Sequence, residues 1–172
     1  MNNTKTKTKS YLFAAIGFLL TLALDQWTKY LASTILRRLE SFSLISGVFE
    51  LRYLENRGAA FGIMQNRQIV FVAGGIIILA VILYLYQKMP FTPYYRPLRI
   101  CAVLLASGAV GNMIDRVKLD YVVDFFYFRL IDFPIFNVAD CYVVIACILF
   151  VVLILFYYKD DSDFEFLNFK NR

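Results

Sequence analysis

The sequence predicts an all-α membrane protein with four transmembrane helices and a small β-sheet at the membrane surface. Hydrophobic residues make up 60% of the 172 residues and the mean hydropathy is +0.60, which is too apolar for a soluble domain of this size. A helix needs about 17–20 residues to cross the hydrocarbon core of a bilayer. Four long segments without a charged residue lie at 11–24, 69–86, 100–114 and 141–158.

These segments predict membrane spans at about 11–30, 68–87, 98–116 and 139–158. The second and fourth segments each have 18 uncharged residues, whereas the first and third have 14 and 15 and must continue into polar residues. No linker separates a second domain, so we expect one integral-membrane domain over residues 1–172. The tail after Tyr158 is expected to be interfacial or disordered.

The first span follows a basic stretch with lysines in the segment 5–9, which is the pattern of a signal peptide. A cleavage site of small residues is weak, with 21–23 as the best candidate, so we expect an uncleaved span. At its polar end, Asp25 and Lys29 share a helix face because they are four residues apart, and they can pair. They are either an interfacial ion pair that closes the span or a brace for an active site.

The first sizeable loop, residues 37–67, predicts the sheet. The segment 49–53 alternates apolar and polar residues, which is the period of a half-buried strand, and 37–45 could supply its partner. A lone hairpin is only marginally stable without a surface to pack on. Asn56 then either belongs to a turn that leads into the second span, or donates to a substrate or orients a neighbouring group.

The third span ends in small and polar residues on one helix stripe. Gly108, Gly111, Asn112 and Asp115 follow one another at spacings of three, one and three. Small residues on a stripe allow the close approach of a neighbouring helix or of a ligand. The stripe is therefore either a packing groove for another span or a groove that admits a substrate helix.

If there are four spans, the end of the first, the start of the second, the end of the third and the start of the fourth all lie at one membrane face. That face gathers Asp25, Lys29, Asn56, Asn112, Asp115, Asp124 and Asp140. The two faces carry nine Lys and Arg residues each, so the charge count does not orient the protein. The lysines before the first span, with no acid near them, favour a cytoplasmic N-terminus.

Composition excludes several classes of chemistry. The chain has no histidine, which excludes Ser-His and Cys-His nucleophile pairs, HExxH zinc sites and histidine bases. It has no nucleotide-binding glycine motif, and no segment outside the spans could fold into a basic nucleic-acid-binding domain. The cysteines Cys101, Cys141 and Cys147 lie in apolar segments and are expected to be buried structural thiols. No metal and no cofactor are predicted.

Carboxylates remain as the candidate catalytic groups. Aspartic peptidases need two carboxyl groups that share a proton, one to activate water and one to donate to the carbonyl oxygen. Asp140 follows Asn137 by three residues, so Asn137 is expected to be a helix N-cap with Asp140 in the first turn, where backbone amides favour its ionised form. Simple helix capping is the alternative.

Asp124 is the candidate for the protonated partner. Its apolar neighbours raise the pKa of a carboxyl group by desolvation. Asp115 is followed by Arg116, which predicts that it is held ionised and supports the pair. Asp120 and Asp132 are expected to be solvated loop charges.

Five segments resemble the lipoprotein signal peptidase (signal peptidase II) family, in order along the chain. They are DQWTK at 25–29, NRGAAFG at 56–62, GAVGNMIDR at 108–116, VVDF at 122–125 and FNVAD at 136–140. The resemblance implies a bacterial inner-membrane aspartic endopeptidase with an extracytoplasmic sheet and active site, and with both termini in the cytoplasm. It implies substrates that are prolipoproteins carrying diacylglycerol on a cysteine, cut just before that cysteine.

The resemblance also implies roles for individual residues. It implies a catalytic pair of Asp124 and Asp140. The positions that match residues lining the site are Asn56, Asn112, Arg116 and Asn137, and those that match a structural pair are Asp25 and Lys29. The chain departs from the family pattern at Arg57, where Thr is usual, and at Ser107, where a second Gly is common.

Other functions are compatible with parts of the pattern. Acids in membrane spans often mark proton routes, so a proton-coupled transporter or channel subunit is the main alternative. A purely structural helix bundle is another. A Ser-Lys hydrolase would use Ser33 and Lys29, four residues apart, although Asp25 competes for Lys29. As a peptidase, the chain is expected to be a monomer whose partners are lipid-modified prolipoprotein signal peptides and membrane lipid.

Overall fold

Four helices of the structure are long and apolar enough to cross a bilayer. The computed structural model describes residues 2–58 and 67–167. The spanning helices are α1 (Asn2–Leu31), α3 (Gln68–Lys88), α4 (Arg96–Leu119) and α5 (Val138–Phe156). The predicted fold class is confirmed, and α1 and α4 extend beyond the predicted spans because their polar ends continue the helix.

The end of α1 is irregular. It continues through a π-helical turn, Ala32–Leu36, into the short helix α2 (Arg37–Leu39). Ala32 and Leu36 are buried against the strand residues Val123 and Phe125. This contact fixes the end of the first span against the sheet.

Helix α4 is the centre of the bundle. It packs against α1, α3 and α5. In its apolar 18-residue stretch 39% of the residues are buried, compared with 6%, 11% and 17% in those of α1, α3 and α5. The glycines on its stripe explain the close packing. A Cβ added to Gly108 would collide with the Ala139 carbonyl, and one added to Gly111 would collide with the Asp25 carboxylate. At these two positions the stripe is a packing groove for α5 and α1.

Three antiparallel strands form the sheet, in the order β1–β2–β3. They are β1 (Ser41–Ile45), β2 (Phe49–Asn56) and β3 (Val122–Tyr127). Gly47, in the turn between β1 and β2, has a φ of 73°, a conformation that favours glycine. The hairpin was predicted, but β3 was not, and its register pairs Leu54 with Asp124.

The loop after β3 folds back on that strand. Phe136 forms an isolated bridge with Phe126, in which the Phe126 amide donates to the Phe136 carbonyl (2.8 Å) and the Phe136 amide donates to the Phe126 carbonyl (3.1 Å). This bridge places the start of α5 beside Asp124.

The opposite end of the bundle holds an aromatic core. Tyr86, Tyr95, Leu98 and Tyr158 are buried there with Met89 and Leu153. The tail also packs there as a 3₁₀ helix, Asp161–Leu167, and the Tyr95 hydroxyl donates to the Asp163 carbonyl (2.9 Å). Because its phenylalanines join this core, the tail is ordered over 161–167, so the disordered alternative is wrong there and the interfacial one stays a prediction; 168–172 lie outside the described residues.

The cysteines differ from one another in burial. Cys101 is buried as expected, Cys141 is half-buried and Cys147 is exposed on the outer surface of the bundle. The expectation of three buried thiols is wrong for Cys147, because its position on α5 faces outward from the neighbouring helices.

Candidate active site

Asp124 and Asp140 are joined by a single residue, Asn137. Its amide nitrogen Nδ2 donates to Asp124 Oδ1 (2.6 Å), and its main-chain N–H donates to Asp140 Oδ2 (3.0 Å). The Asp140 N–H in turn donates to Asn137 Oδ1 (3.0 Å), which completes a capping box at the start of α5. The predicted N-cap is confirmed, and the same residue that starts the helix also binds the second acid.

Two more asparagines bind the second carboxyl oxygen of each acid. Asn56 Nδ2 donates to Asp124 Oδ2, and Asn112 Nδ2 donates to Asp140 Oδ1, both at 2.8 Å. Each of the four carboxyl oxygens therefore accepts a hydrogen bond from an asparagine. These contacts come from β2, α4 and the start of α5, so three separate segments fix the orientation of the two acids.

Burial makes the two acids unequal. Asp124 is 1% exposed, whereas Asp140 is half-buried. Desolvation, the larger cause, and the negative charge of Asp140 together raise the pKa of Asp124 to about 7, against the hydrogen bonds from Asn56 and Asn137, which lower it. Near neutral pH, Asp124 can thus hold a proton in surroundings that differ from those of Asp140, and acid–base catalysis by two carboxyls needs such a difference.

A buried ionic cluster lies behind the pair. Lys29 Nζ contacts Asp25 Oδ2 (3.0 Å), Asp115 Oδ2 (3.2 Å) and Asn112 Oδ1 (2.8 Å). Asp25 is fully buried and Lys29 is 3% exposed, so the pairing of these two residues is confirmed but is not an exposed interfacial pair. All three donors of the ammonium have an acceptor, as a buried charge requires.

The cluster also reaches the main chain next to each acid of the pair. Asp115 Oδ2 accepts from the Val123 N–H (3.1 Å), one residue before Asp124. Asp25 Oδ1 accepts from the Ala139 N–H (2.9 Å), one residue before Asp140. The two carboxylates on Lys29 therefore fix the backbone on which the catalytic candidates stand.

The ionic partner of Asp115 differs from the expected one. Asp115 pairs with Lys29 and forms no ion pair with Arg116, because adjacent residues on a helix do not face each other. Arg116 instead donates to the carbonyls of Gly58 (3.3 Å) and Asn112 (3.4 Å) and lies over the Phe71 ring, 4.6 Å from its centroid.

One residue of this cluster was missed. Gln26 Nε2 lies 3.2 Å from Asp25 Oδ2, from the Gly111 carbonyl and from Asp115 Oδ1. Its position beside Asp25 in the first motif was the only signal in the sequence. Because it joins α1 to α4, it belongs with the residues that support the site.

The pair lies at the wall of a large cavity of about 1110 Å³. Asn56, Asn112 and Arg116 line its polar part together with the two acids. Val143, Val144 and Ile145 of α5 and Phe133 and Ile135 of the preceding loop line its apolar part. The cavity can therefore receive a chain with a polar backbone and an apolar attachment.

The two residues that depart from the family pattern, Arg57 and Ser107, each contact near neighbours in the chain or the sheet region. Arg57, which lines the cavity, pairs with Glu55 (3.6 Å) and lies over the Tyr121 ring (5.5 Å). Ser107 is buried, and its hydroxyl donates to the Leu104 carbonyl one turn earlier (3.1 Å). Residues 59–62 of the second motif lie outside the described residues.

The loop acids lie at the surface, as expected. Asp120 and Asp132 are exposed and both adopt the left-handed backbone conformation, with φ of 62° and 47°. Asp132 also accepts a hydrogen bond from the Tyr127 hydroxyl (2.5 Å) and lies at the edge of the cavity.

The geometry gives the other catalytic alternatives no support. The Ser33 hydroxyl donates to the Lys29 carbonyl (2.9 Å) rather than to its ammonium, so the Ser-Lys hypothesis lacks its central contact. In the described part of the chain, no three His, Cys, Asp or Glu residues are grouped as metal ligands. The acids of the described spans, Asp25, Asp115 and Asp140, all lie at one end of the bundle and form no route across it.

Known proteins resemble this chain over most of its length. The profile of the family described as signal peptidase (SPase) II matches residues 17–156. A lipoprotein signal peptidase of Caldanaerobacter subterraneus is 42% identical over 134 residues, which cover 77% of this chain and 89% of the relative. One of Streptococcus thermophilus is 40% identical over 151 residues, or 86% and 93% of the two chains.

A solved structure shares the fold. It is described as a bacterial membrane enzyme structure obtained by the in meso method; it is 31% identical, its TM-score is 0.76, and the match covers 87% of this chain and 92% of the other. The residues that the family profile matches, 17–156, include both Asp124 and Asp140. The chain therefore belongs to the signal peptidase II family of bacterial membrane peptidases.

Proposed function

We propose that this protein removes the signal peptide from prolipoproteins whose cysteine carries diacylglycerol, and that it cuts just before that cysteine. The observation that carries the proposal is the pair of unequally buried acids joined by Asn137 at the cavity wall. Family membership supports the class of substrate.

The chemistry assigned to the pair is general acid–base catalysis. Ionised Asp140 takes a proton from a water molecule, whose oxygen bonds to the carbonyl carbon of the scissile peptide. Protonated Asp124 donates its proton to the carbonyl oxygen, which gives a neutral tetrahedral diol. The carbonyl then re-forms and the C–N bond breaks; Asp124 takes back a proton from the diol, and Asp140 gives its proton to the leaving nitrogen.

The surroundings orient the two acids and suit the lipid of the substrate. Asn56, Asn112 and Asn137 fix the carboxyl oxygens, and the cluster at Lys29 fixes their backbone. The apolar wall at Val144 and Ile145, both more than half exposed on the outer surface of α5, is suited to acyl chains that remain in the membrane. In this proposal both termini lie in the cytoplasm and the acids face the other side of the membrane.

A direct assay tests the function. Purified protein is mixed with a diacylated prolipoprotein and with the same prolipoprotein lacking the lipid, and the products are mapped by mass spectrometry. We expect a new N-terminal cysteine from the lipidated substrate and none with Asp140→Asn. A cut elsewhere, or equal cleavage by the Asn variant, contradicts the proposal. A labelling experiment tests the orientation. Single cysteines are added at residue 3 and in the β1–β2 turn, and their labelling is measured in cells with intact membranes.

A further inference from the structure

A second cavity lies at the end of the bundle that is farthest from the two acids. It measures about 930 Å³ and lies between α1 and α4. Ser10, Tyr86, Phe91, Arg96 and Arg99 line it near the helix ends, and Gly17, Thr21, Val103 and Leu104 line it farther along the helices. It shares no lining residue with the cavity of the active site.

Arg99 is a buried cation in the wall of this cavity. It is 4% exposed, and its guanidinium lies 3.9 Å from the Phe91 ring centroid and 4.5 Å from that of Tyr86. Two of its nitrogens donate to the carbonyls of Tyr86 (3.2 Å) and Met89 (2.6 Å). No described atom accepts a hydrogen bond from its third nitrogen, Nε.

Further positive charge lies at the same rim. Arg96 lines the cavity, and Lys7 Nζ lies 5.5 Å from the centroid of the same Phe91 ring. Among the described residues, no carboxylate comes within 4.0 Å of Lys7, Arg96 or Arg99. The acids of the nearby tail, Asp160, Asp161, Asp163 and Glu165, do not line the cavity. The cationic groups are therefore without an anionic partner from the described chain.

The cavity walls become apolar along the helix axes. From Arg96 to Leu104 the wall of α4 extends eight residues, or about 12 Å along the axis. Phe13 and Ile100, which line the cavity, are 72% and 53% exposed on the outer surface of the spanning helices. A ligand that fills this shape has an anionic group at the helix ends and an apolar chain beside the helices.

We propose that this cavity binds an anionic phospholipid of the surrounding bilayer, with its headgroup phosphate on Arg96, Arg99 and Lys7 and an acyl chain along Val103 and Leu104. Guanidinium groups suit phosphate because they donate in a planar fork, and basic pockets between spanning helices bind anionic headgroups. The apolar wall selects a lipid over a free phosphate ion. The site is separate from the peptidase chemistry and does not depend on it.

Native mass spectrometry of the full chain from detergent micelles tests this site. Phosphatidylglycerol and phosphatidylcholine with identical acyl chains are titrated separately. We expect tighter binding of phosphatidylglycerol, weakened about fivefold each by Arg96→Gln and Lys7→Gln, since one basic residue near an anionic lipid contributes about that factor. Arg38→Gln, an exposed position at the other end of the bundle, is the matched control and should bind as the unchanged protein does.

Three results would overturn the proposal. They are equal binding of the two lipids, unchanged binding by the Lys7 and Arg96 double variant, and displacement of the lipid by millimolar inorganic phosphate. Arg99→Gln provides a further test where it folds: it should lose selectivity for phosphatidylglycerol. Because binding is read directly, failure of the peptidase assay leaves this result unaffected.

Discussion

At one end of the bundle Lys29 is enclosed by two carboxylates and an amide oxygen, whereas at the other Arg99 is enclosed by two carbonyls and two aromatic rings. Both cations are almost fully buried. Lys29 has a partner for each donor, and each of its carboxylates also accepts a main-chain N–H. Arg99 has no carboxylate partner among the described residues, and its Nε has no acceptor there.

The difference separates two uses of buried charge. A buried ion whose hydrogen bonds are complete fixes the surrounding backbone, since moving any member leaves a charge without a partner. The cluster at Lys29 does this beside Asp124 and Asp140. A buried cation without an anion instead favours any anionic ligand that reaches it. The fully paired Lys29 therefore positions the backbone around it, whereas the incompletely paired Arg99 is suited to binding an anionic ligand.

The largest expected effect is on catalysis at the acid pair. Asp124→Asn and Asp140→Asn each remove one proton-transfer group, and we expect cleavage of a diacylated prolipoprotein to fall by about 10²–10⁴-fold. The matched control is Asp120→Asn, an exposed acid with a left-handed backbone that Asn also tolerates. Full activity in either pair variant, with the control unchanged, would remove these acids from the mechanism.

The second prediction compares the two buried cations directly. Lys29→Met leaves Asp25 and Asp115 buried without their cation, and we expect a loss of about 3–5 kcal/mol in the free energy of unfolding. Arg99→Met leaves only carbonyls without a donor, which costs about 1–3 kcal/mol. Reversible unfolding of both variants in mixed micelles measures the difference. Equal losses in the free energy of unfolding would show that the carboxylate partners of Lys29 do not make its replacement more costly than that of Arg99.

A smaller effect is expected at the helix stripe. In Gly111→Ala the added methyl group meets the Asp25 carboxylate and Ala139, which should cost about 1–3 kcal/mol. Gly74→Ala is the matched control, because no heavy atom lies within 4 Å of the added Cβ, and its stability should be unchanged or slightly higher. If both substitutions have the same effect on the unfolding midpoint, close packing at Gly111 is not what orders the ionic cluster at Lys29.

Local patterns were enough to predict much of this architecture. The four spans follow from hydropathy, and the N-cap at Asn137 follows from its spacing to Asp140, because both signals lie within one helix or its first turn. The pairing of Asp25 with Lys29 was predictable for the same reason. The apolar neighbours of Asp124 in the sequence indicated its choice as the second acid, and the resemblance to the family implied the same pair.

Features that depend on distant contacts were not predictable. Strand β3 was missed because its sequence does not alternate apolar and polar residues and because its partner β2 is far away in sequence. The ion pair of Asp115 with Lys29 depends on how α1 packs on α4. Arg116 was the expected partner of Asp115 because the two are adjacent in the sequence. The cavity at Arg99 likewise exists only once α1 lies beside α4.

The pH dependence of stability gives a further test of the pair. Because the folded pKa of Asp124 is raised from 3.8 to about 7, its protonated form stabilises the fold below about pH 4, and that contribution is lost as the pH rises through 7. Asp124→Asn is neutral throughout and should lack this loss. The unfolding midpoints of the two proteins should therefore diverge between pH 4 and 7, with the variant more stable at the higher pH; parallel curves would contradict the raised pKa.

The central claim is that Asp124 holds a proton beside ionised Asp140 near neutral pH, and infrared difference spectroscopy of the intact protein tests it most directly. The band of a protonated carboxyl group should be present at pH 6, titrate near pH 7 and be absent from Asp124→Asn. A band that disappears near pH 4, or that persists in this variant and is lost in Asp140→Asn, would contradict the assignment.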